Sequence, residues 1–591
     1  MRSRLGLALC VVGSLAAGTG CSKVLCSQPM YEATSASPPN ASGGGVAKTD
    51  GSAAVAEADI VEVDGKNLYA MSRSGTLSIV DVSNPGKLLL EGSTKLPGIP
   101  FEMYRRGDVL FAMSTQAVNA DGSIRPVAAN DAAASSSVPA PGVGTDLGSV
   151  VTALDVSDPA AIKTIASFPV SGEIADSRVI GGVLYLATYE DGNGCWQCGQ
   201  KARTLVTSFD VSEPRAIHRV DSLAFDGAAT GSTAGWGMAW RRSIFANDQR
   251  IYVGGIAATQ ASSRAEGQIE VIDVSDRSGH MKRSATIATK GPVLSRWQMD
   301  ETGGVFRVVS QAGVGWSSNG QGMPEVQTFT VDGETAFAPL GRTSIQLPRQ
   351  EGLRTVRFDG PRAYAITFNQ TDPLFVIDLA DPAKPAQKGQ LEMPGWMFHL
   401  EPHGDRVIGL GVDRTDPNGA LNVSLFDVAD ASNPKLLQRV AFGANLGEDF
   451  MILDYQVPED QDRIQKAFKV LEDGLVVVPF SNGTSTCTTG KGGGIELIDW
   501  KQDSLVARGA LRMSGNPRRA FEANGHLVGV SDSNVSAFAI SKSAPLPAQP
   551  ASDLVIGQCT TKAGQYGGGM WGEGGDVMMG DGVENRSCLF R

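Results

Sequence analysis

The sequence predicts an all-β β-propeller of four-stranded antiparallel blades, and three observations carry that prediction. An apolar run recurs nine times, seven of them closing on Asp beside a turn, two alternating runs joined by a tight turn precede each copy, and a fourth run follows most of them. The clearest copy is Thr355 to Pro382, TVRFDGPRAYAITFNQTDPLFVIDLADP. In its first run Val356 and Phe358 share a face. In its second, Ala363, Ala365 and Thr367 lie opposite Tyr364 and Ile366, as a two-residue period requires. Asp359, Gly360 and Pro361 supply the turn. The third run, LFVIDL, is apolar almost throughout, which suits a strand covered on both faces.

The third runs read LSIVDVSNP (77–85), VTALDVSDP (151–159), VTSFDVSEP (206–214), IEVIDVSDR (269–277), a degenerate VQTFTVDGE (326–334), LFVIDLADP (374–382), VSLFDVADA (423–431), IELIDWKQD (495–503) and VSAFAISKS (535–543). Paired runs such as IVEVDGKNLYAMS and SRVIGGVLYLATY precede them, and runs such as KLLLEGSTKL and AIKTIASFPV follow. A solenoid of parallel coils would need a tighter and more constant period; here the variation sits between second and third strands. Propellers ordinarily have about four to eight blades. Nine units therefore predict eight or nine blades, with the last unit, Arg518 to Ser541, incomplete or sharing a blade with the N-terminal segment.

A chain of 591 residues exceeds one ordinary core, which leaves several domains or one repetitive architecture. Its 71 glycines and short β-branched runs favour many strands and turns. A formal charge of −12 excludes nucleic acid and anionic membrane as main partners, since both require a basic face.

In order along the chain, residues 1–20 carry Arg2 and Arg4, an apolar run too short to span a bilayer, and small residues, the pattern of an export signal. The ending AGTGC resembles the lipobox of bacterial lipoproteins, which implies acylation of Cys21 and, with Ser22 following, sorting to the outer membrane. Gly18 stands where that pattern usually has Leu, so plain secretion is the alternative. Residues 21–57, rich in Ser, Pro, Ala and Gly, read as a flexible tether, because they cannot bury enough surface to offset ordering entropy. The propeller is expected over 58–543, interrupted by a low-complexity excursion from Ala117 to Gly148. A linker and a Gly- and Met-rich tail fill 544–591.

Several stretches carry a resemblance beyond the repeat pattern. They are EADIVEVDGKNLYAMS, LSRWQMDETGGVFRVVS and TVRFDGPRAYAITFNQTDPLFVIDLADPAKPAQKGQLEMPG, the last followed by LNVSLFDVADASNPKLL. Together they resemble the secreted β-propeller family of bacteria and archaea, distantly related to WD-type repeats, over roughly residues 58 to 541. The resemblance implies the fold and export, and it implies no reaction or ligand.

Among possible sites, the recurrent Asp81, Asp155, Asp210, Asp273, Asp378, Asp427 and Asp499 are expected to accept backbone N–H bonds and fix the turn into the fourth strand, since a residue needed once per blade is architecture. His399, Glu401 and His403 alternate, so an extended strand would aim two imidazoles and a carboxylate to one side, a donor set that suits a zinc-like ion; Pro402 stands against an unbroken strand there. Cys195 and Cys198 lie in a Gly-rich loop without the following helix of a redox motif, so a disulfide is expected in an exported chain. The pairing of Cys26, Cys487, Cys559 and Cys588 cannot be read from spacing. DRTDPNG (413–419) lacks the register of an EF-hand, GKGGG near Lys491 lacks the helix a phosphate loop opens, and no G-x-S-x-G elbow occurs.

The functional expectation is an envelope-anchored lipoprotein whose propeller is a non-catalytic, monomeric platform, with no cofactor, for protein or envelope-polymer partners, glycans included. Trp196, Trp236, Trp240 and Trp316 fall in or beside the longest loops and are its candidate anchors. Its periplasmic or surface exposure is open. The competing expectation is an extracytoplasmic hydrolase or lyase with a carboxylate or metal site at the channel mouth.

Overall fold

The chain folds into nine antiparallel sheets of four consecutive strands each, in the order first to fourth. The structure is a computed structural model that describes residues 55–72, 74–118, 124, 148–190, 203–226, 243–256, 266–293, 295–312, 322–333, 336–368, 373–413, 416, 421–443, 464–481, 493–540 and 545–557. Blade 1 runs through Val61–Asp64, Asn67–Met71, Thr76–Asp81 and Leu89–Lys95; blade 9 through Pro517–Ala523, His526–Ser531, Asn534–Phe538 and Ser552–Val555. All nine runs singled out in the sequence are third strands.

Both faces of each sheet must be covered, and the neighbouring sheets cover them. Nine apolar clusters form, each straddling one blade interface. Tyr364 and Ile366 of blade 6 pack with Met397 and Leu400 of blade 7, whereas Ala363 and Ala365, on the opposite face, pack with Val309 and Val326 of blade 5. The alternation of the second strand is thus a division between two neighbours, not between core and water. Leu68, Ala70 and Val80 of blade 1 meet Phe521, Val528 and Val535 of blade 9, which closes the ring. Among the described residues no strand is shared across this junction. Hydrogen bonds from Ser78 Oγ to the Ile556 carbonyl (3.1 Å) and from the Leu88 N–H to Ser552 Oγ (3.1 Å) reinforce it.

The last unit is therefore a complete blade, and its outer strand lies beyond the expected end at 543, after the Pro-containing stretch that read as a linker. At the other end, Val55 and Ala56, expected in the tether, pair with Ile180 and Val179 as a fifth strand on blade 3.

Six of the seven recurrent aspartates are turn residues; Asp499 lies within the strand Gly493–Lys501, which continues past it into a tight turn. Oδ1 of Asp81, Asp155, Asp210, Asp273, Asp378 and Asp427 each accepts the N–H two residues on, at 2.8 to 3.0 Å. Three residues later Asn84, Asp158, Asp276, Asp381 and Asp430 repeat the device. These double turns seat against the fourth strand of the preceding blade, where a small residue is required. A Cβ on Gly92 would lie 1.7 Å from the Pro159 carbonyl oxygen, and one on Gly389 would lie 2.4 Å from that of Ala431.

Gly92→Ala should therefore force blades 1 and 2 apart and destabilise the protein by about 2–4 kcal/mol. Equilibrium denaturation of the variant would check this, and an unchanged midpoint would contradict the packing of the turn on that strand.

Candidate functional site: the axial channel

First strands of adjacent blades contact one another, as Gly352–Asp359 of blade 6 does Trp396–His403 of blade 7, and their free edges face the ring axis. Charges from distant blades meet there. Lys466, in the short helix Ile464–Ala467 that leads into blade 8, forms an ion pair with Glu102 of blade 2 across the axis. Residues 55–60 run through the same space. Glu57 Oε1 and Oε2 accept from Arg296 Nη1 and Nη2 of blade 5 (2.7 and 3.1 Å), and Arg178 Nη2 of blade 3 lies 3.8 Å away. Asp59 Oδ1 and Oδ2 accept from Arg519 Nε of blade 9 (2.8 and 3.1 Å), the Nη2 of the same guanidinium lies 2.7 Å from Oδ1 as an ion pair, and Asp59 bridges Met103 of blade 2 through the backbone.

The arginine partners and Glu102 are buried and need their counter-charges, whereas Glu57 and Asp59 keep part of their surface in solvent. Burial alone would push the Glu57 carboxyl up, but the fields of Arg296, Arg178 and Lys466 and the hydrogen bond from Arg296 hold it well below the usual carboxylate range. Burial likewise acts against the charged form of Arg178, and Asp176 and Glu57 overcome it, raising its pKa. The Trp297 ring lies between two guanidinium groups, Arg357 at 3.6 Å and Arg296 at 4.4 Å from its centroid, which adds cation–π stabilisation in a desolvated place.

The alternation of His399, Glu401 and His403 does bring them together, with a hydrogen bond between Glu401 and His403 and a looser approach of His399. Glu401 Oε1 lies 3.0 Å from His403 Nε2, and Oε2 lies 3.7 Å from His399 Nε2. Arg357 Nη2 donates to His399 Nδ1 at 2.9 Å, so that nitrogen is the acceptor and the neutral ring carries its proton on Nε2. A cation among the three would sit against that guanidinium, and among the described residues no group of His, Cys, Asp or Glu is arranged to hold a metal ion. Pro402 does not break the strand: Trp396–His403 is continuous, because a first strand has a free edge on which a missing N–H costs nothing. Burial, opposed by the nearby Glu401 carboxylate and aided by Arg357, lowers the His399 pKa to about 4. Burial would raise that of Glu401, and the two imidazoles bring it down to about 2.

Trp196, Trp236, Trp240, Trp316, Cys21, Cys26, Cys195, Cys198, Cys487, Cys559 and Cys588 lie outside the described residues. The arginines and acids at the axis, Glu401 apart, leave no mark on the third strands that define the repeat. A signal was present in the first strands, where Arg178, Arg357 and Glu401 each stand three residues before the turn glycine.

The profile of the family described as Beta propeller domain matches residues 51–541. The chain belongs to that family. It is 35% identical over 146 residues to an uncharacterized protein of Methanocaldococcus jannaschii, covering 24% of this chain and 22% of that one. It is 30% identical over 168 residues to one of Archaeoglobus fulgidus, covering 28% and 25%. The aligned stretch thus spans about a quarter of each relative's length. Solved structures similar to it include BamB from Moraxella catarrhalis (12% identity, 81% of this chain and 96% of that, TM-score 0.36) and the periplasmic gluconolactonase of Pseudomonas aeruginosa (15%, 64% and 96%, TM-score 0.34). At such scores neither bears on function.

Two outcomes follow from the channel. Arg519→Gln leaves Asp59 without its guanidinium and should cost about 2–3 kcal/mol, below the value for a fully buried pair because Asp59 is partly exposed. With Asp59→Asn added, a double-mutant cycle in denaturant should recover part of that loss; full additivity would refute the coupling. Second, the His399 pKa lies below that of free histidine, so the unfolded chain binds the extra proton between about pH 6.5 and 4. This group's contribution to stability is present above about pH 6.5 and is lost as pH falls towards 4. An imidazole NMR titration should place His399 near 4, and a midpoint near 6.5 would contradict its burial.

Proposed function

We propose that the chain is an envelope lipoprotein, acylated at Cys21, whose propeller is a non-catalytic platform for protein or glycan partners. One observation carries this reading, the unequal build of the two faces. In a four-strand meander, first-to-second and third-to-fourth turns emerge on one face, and the remaining connections emerge on the other. On the first face the turns are short and held by Asx bonds, with 539–551 the one long connection. On the second, strands are joined by residues 119–147, 191–202, 227–243, 257–266, 311–324, 443–463 and 482–492. A rigid ring that gathers its long connections on one side suits recognition by variable loops. Trp196, Trp236, Trp240 and Trp316 all belong to those connections by sequence.

The axial acids favour the platform over catalysis at the channel. Glu57, Asp59 and Glu102 are engaged by arginine or lysine, whereas a catalytic carboxylate must be available to substrate. The observation on the side of a hydrolase or lyase is the Glu401 carboxylate between two imidazoles.

Replacing 191–202 and 227–242 by Gly-Ser linkers should abolish capture of envelope partners by the purified protein, while Asp381→Ala and Asp430→Ala on the opposite face should leave it intact. Cys21→Ser should move the protein from the membrane to the soluble fraction. Equal capture by both sets of variants, or a stoichiometric small molecule turned over by the purified protein, would sink the platform.

A further inference from the structure

Residues 55–60 bind the channel in the way an extended peptide binds a receptor. Val55 and Ala56 add to the free edge of the first strand of blade 3, and Met103 of blade 2 donates its N–H to the Asp59 carbonyl at 2.8 Å. Tyr104 Oη donates to the Ala56 carbonyl at 3.2 Å. Backbone pairing at a sheet edge, with alternate side chains taken by pockets, is strand addition. The alternate side chains here are Glu57 and Asp59, and their pockets are cationic, formed by Arg296 and Arg178 for the first and Arg519 for the second.

The receptor and its occupant are unequal in how they are held. Arg178, Arg296 and Arg519 are buried at 4%, 6% and 1% exposure and are carried on first strands or on the turn into one, each fixed by a blade that packs on two neighbours. The segment itself reads VAEADI, small residues with two acids, and contributes far less apolar surface than any blade. Ala58 and Ile60 are buried, but both are small against a blade's apolar faces, so the ion pairs and backbone bonds carry much of the hold, in the part of a structure that opens at low free energy.

We infer that the axial channel is a binding site for an extended acidic peptide segment, and that residues 55–60 are its resident intramolecular ligand. A tethered ligand competes at an effective concentration in the millimolar range, so an external segment enters only where the resident is weakened or displaced. This site is separate from the loop-bearing face, and its test does not depend on what that face binds.

The probe is a fluorescent peptide of residues 52–61, SAAVAEADIV, added to the full chain. The chain carrying Glu57→Gln and Asp59→Asn should bind it at least about tenfold more tightly than the wild type does. A control peptide with the same two substitutions should bind neither. Binding that is no tighter to a variant whose circular dichroism is unchanged, or equal binding of the control peptide, would overturn the inference. Should the variant fail to fold, hydrogen exchange on the wild type decides: the amides of 55–60 should exchange about a hundredfold faster than those of Arg178–Ile180. Equal rates would make the segment part of the ring and end the proposal.

Discussion

The structure depends on one constraint: a four-stranded sheet with two apolar faces is stable only between two others like it. Each of the nine interfaces has its own cluster of buried Val, Ile, Leu and aromatic side chains, and no blade has a core of its own. The third strands are the most demanding elements, since they have strands on both sides and sheets on both faces. Leu374, Phe375, Val376 and Ile377 are all fully buried for that reason. At about 25 cal/mol per Å² of apolar area, each cluster outweighs any single polar contact at its interface, so polar groups position the blades more than they bind them. Closure follows from the same rule, because blade 9 left open would expose Phe521, Val528 and Val530 to water, as blade 1 would Leu68 and Val80.

What was legible in the sequence follows from where burial is two-sided. The third strands could be read because double burial writes an unbroken apolar run, and the Asx turns because only Asp or Asn beside a small residue makes them. The fourth strands are half exposed, as Leu89 and Leu90 show, and their signal is weak. The outer strand of blade 9, SDLV, was lost behind a Pro-containing connection for that reason. First strands were opaque in another way. Their free edge admits Pro402, and their side chains answer to partners hundreds of residues away, as Arg519 does to Asp59. No local pattern records such a partner. Glu57 read as the end of a tether because its own neighbours are small, and its binding energy lies in Arg296 and Arg178.

The fourth strands also explain how blades are spaced. Glycine at 92, 341 and 389 lets the next blade's double turn approach the strand backbone, and in each case the ladder shifts register beside it, between Ile79 and Val80, Thr328 and Phe329, and Val376 and Ile377. A bulge increases local twist. Repeated around the ring, it turns each outer edge towards the turn it must receive, so the same few residues set both the tilt of a blade and its distance from the next.

Nine blades impose a cost at the axis that the ion pairs meet. First strands in a larger ring stand further from the centre, and the space between them must be filled or wetted. Apolar filling would stabilise it more, since buried charges repay their desolvation only with good geometry. Charge, however, distinguishes partners where nine similar apolar interfaces do not. Lys466 with Glu102 joins blade 8 to blade 2, Glu57 joins blade 3 to blade 5, and Asp59 joins blade 2 to blade 9. Loss of one partner would leave a buried arginine, or Glu102, without its counter-charge, a penalty of several kcal/mol. The axial network thus ties together blades far apart in the chain, whereas each cluster ties together two neighbours.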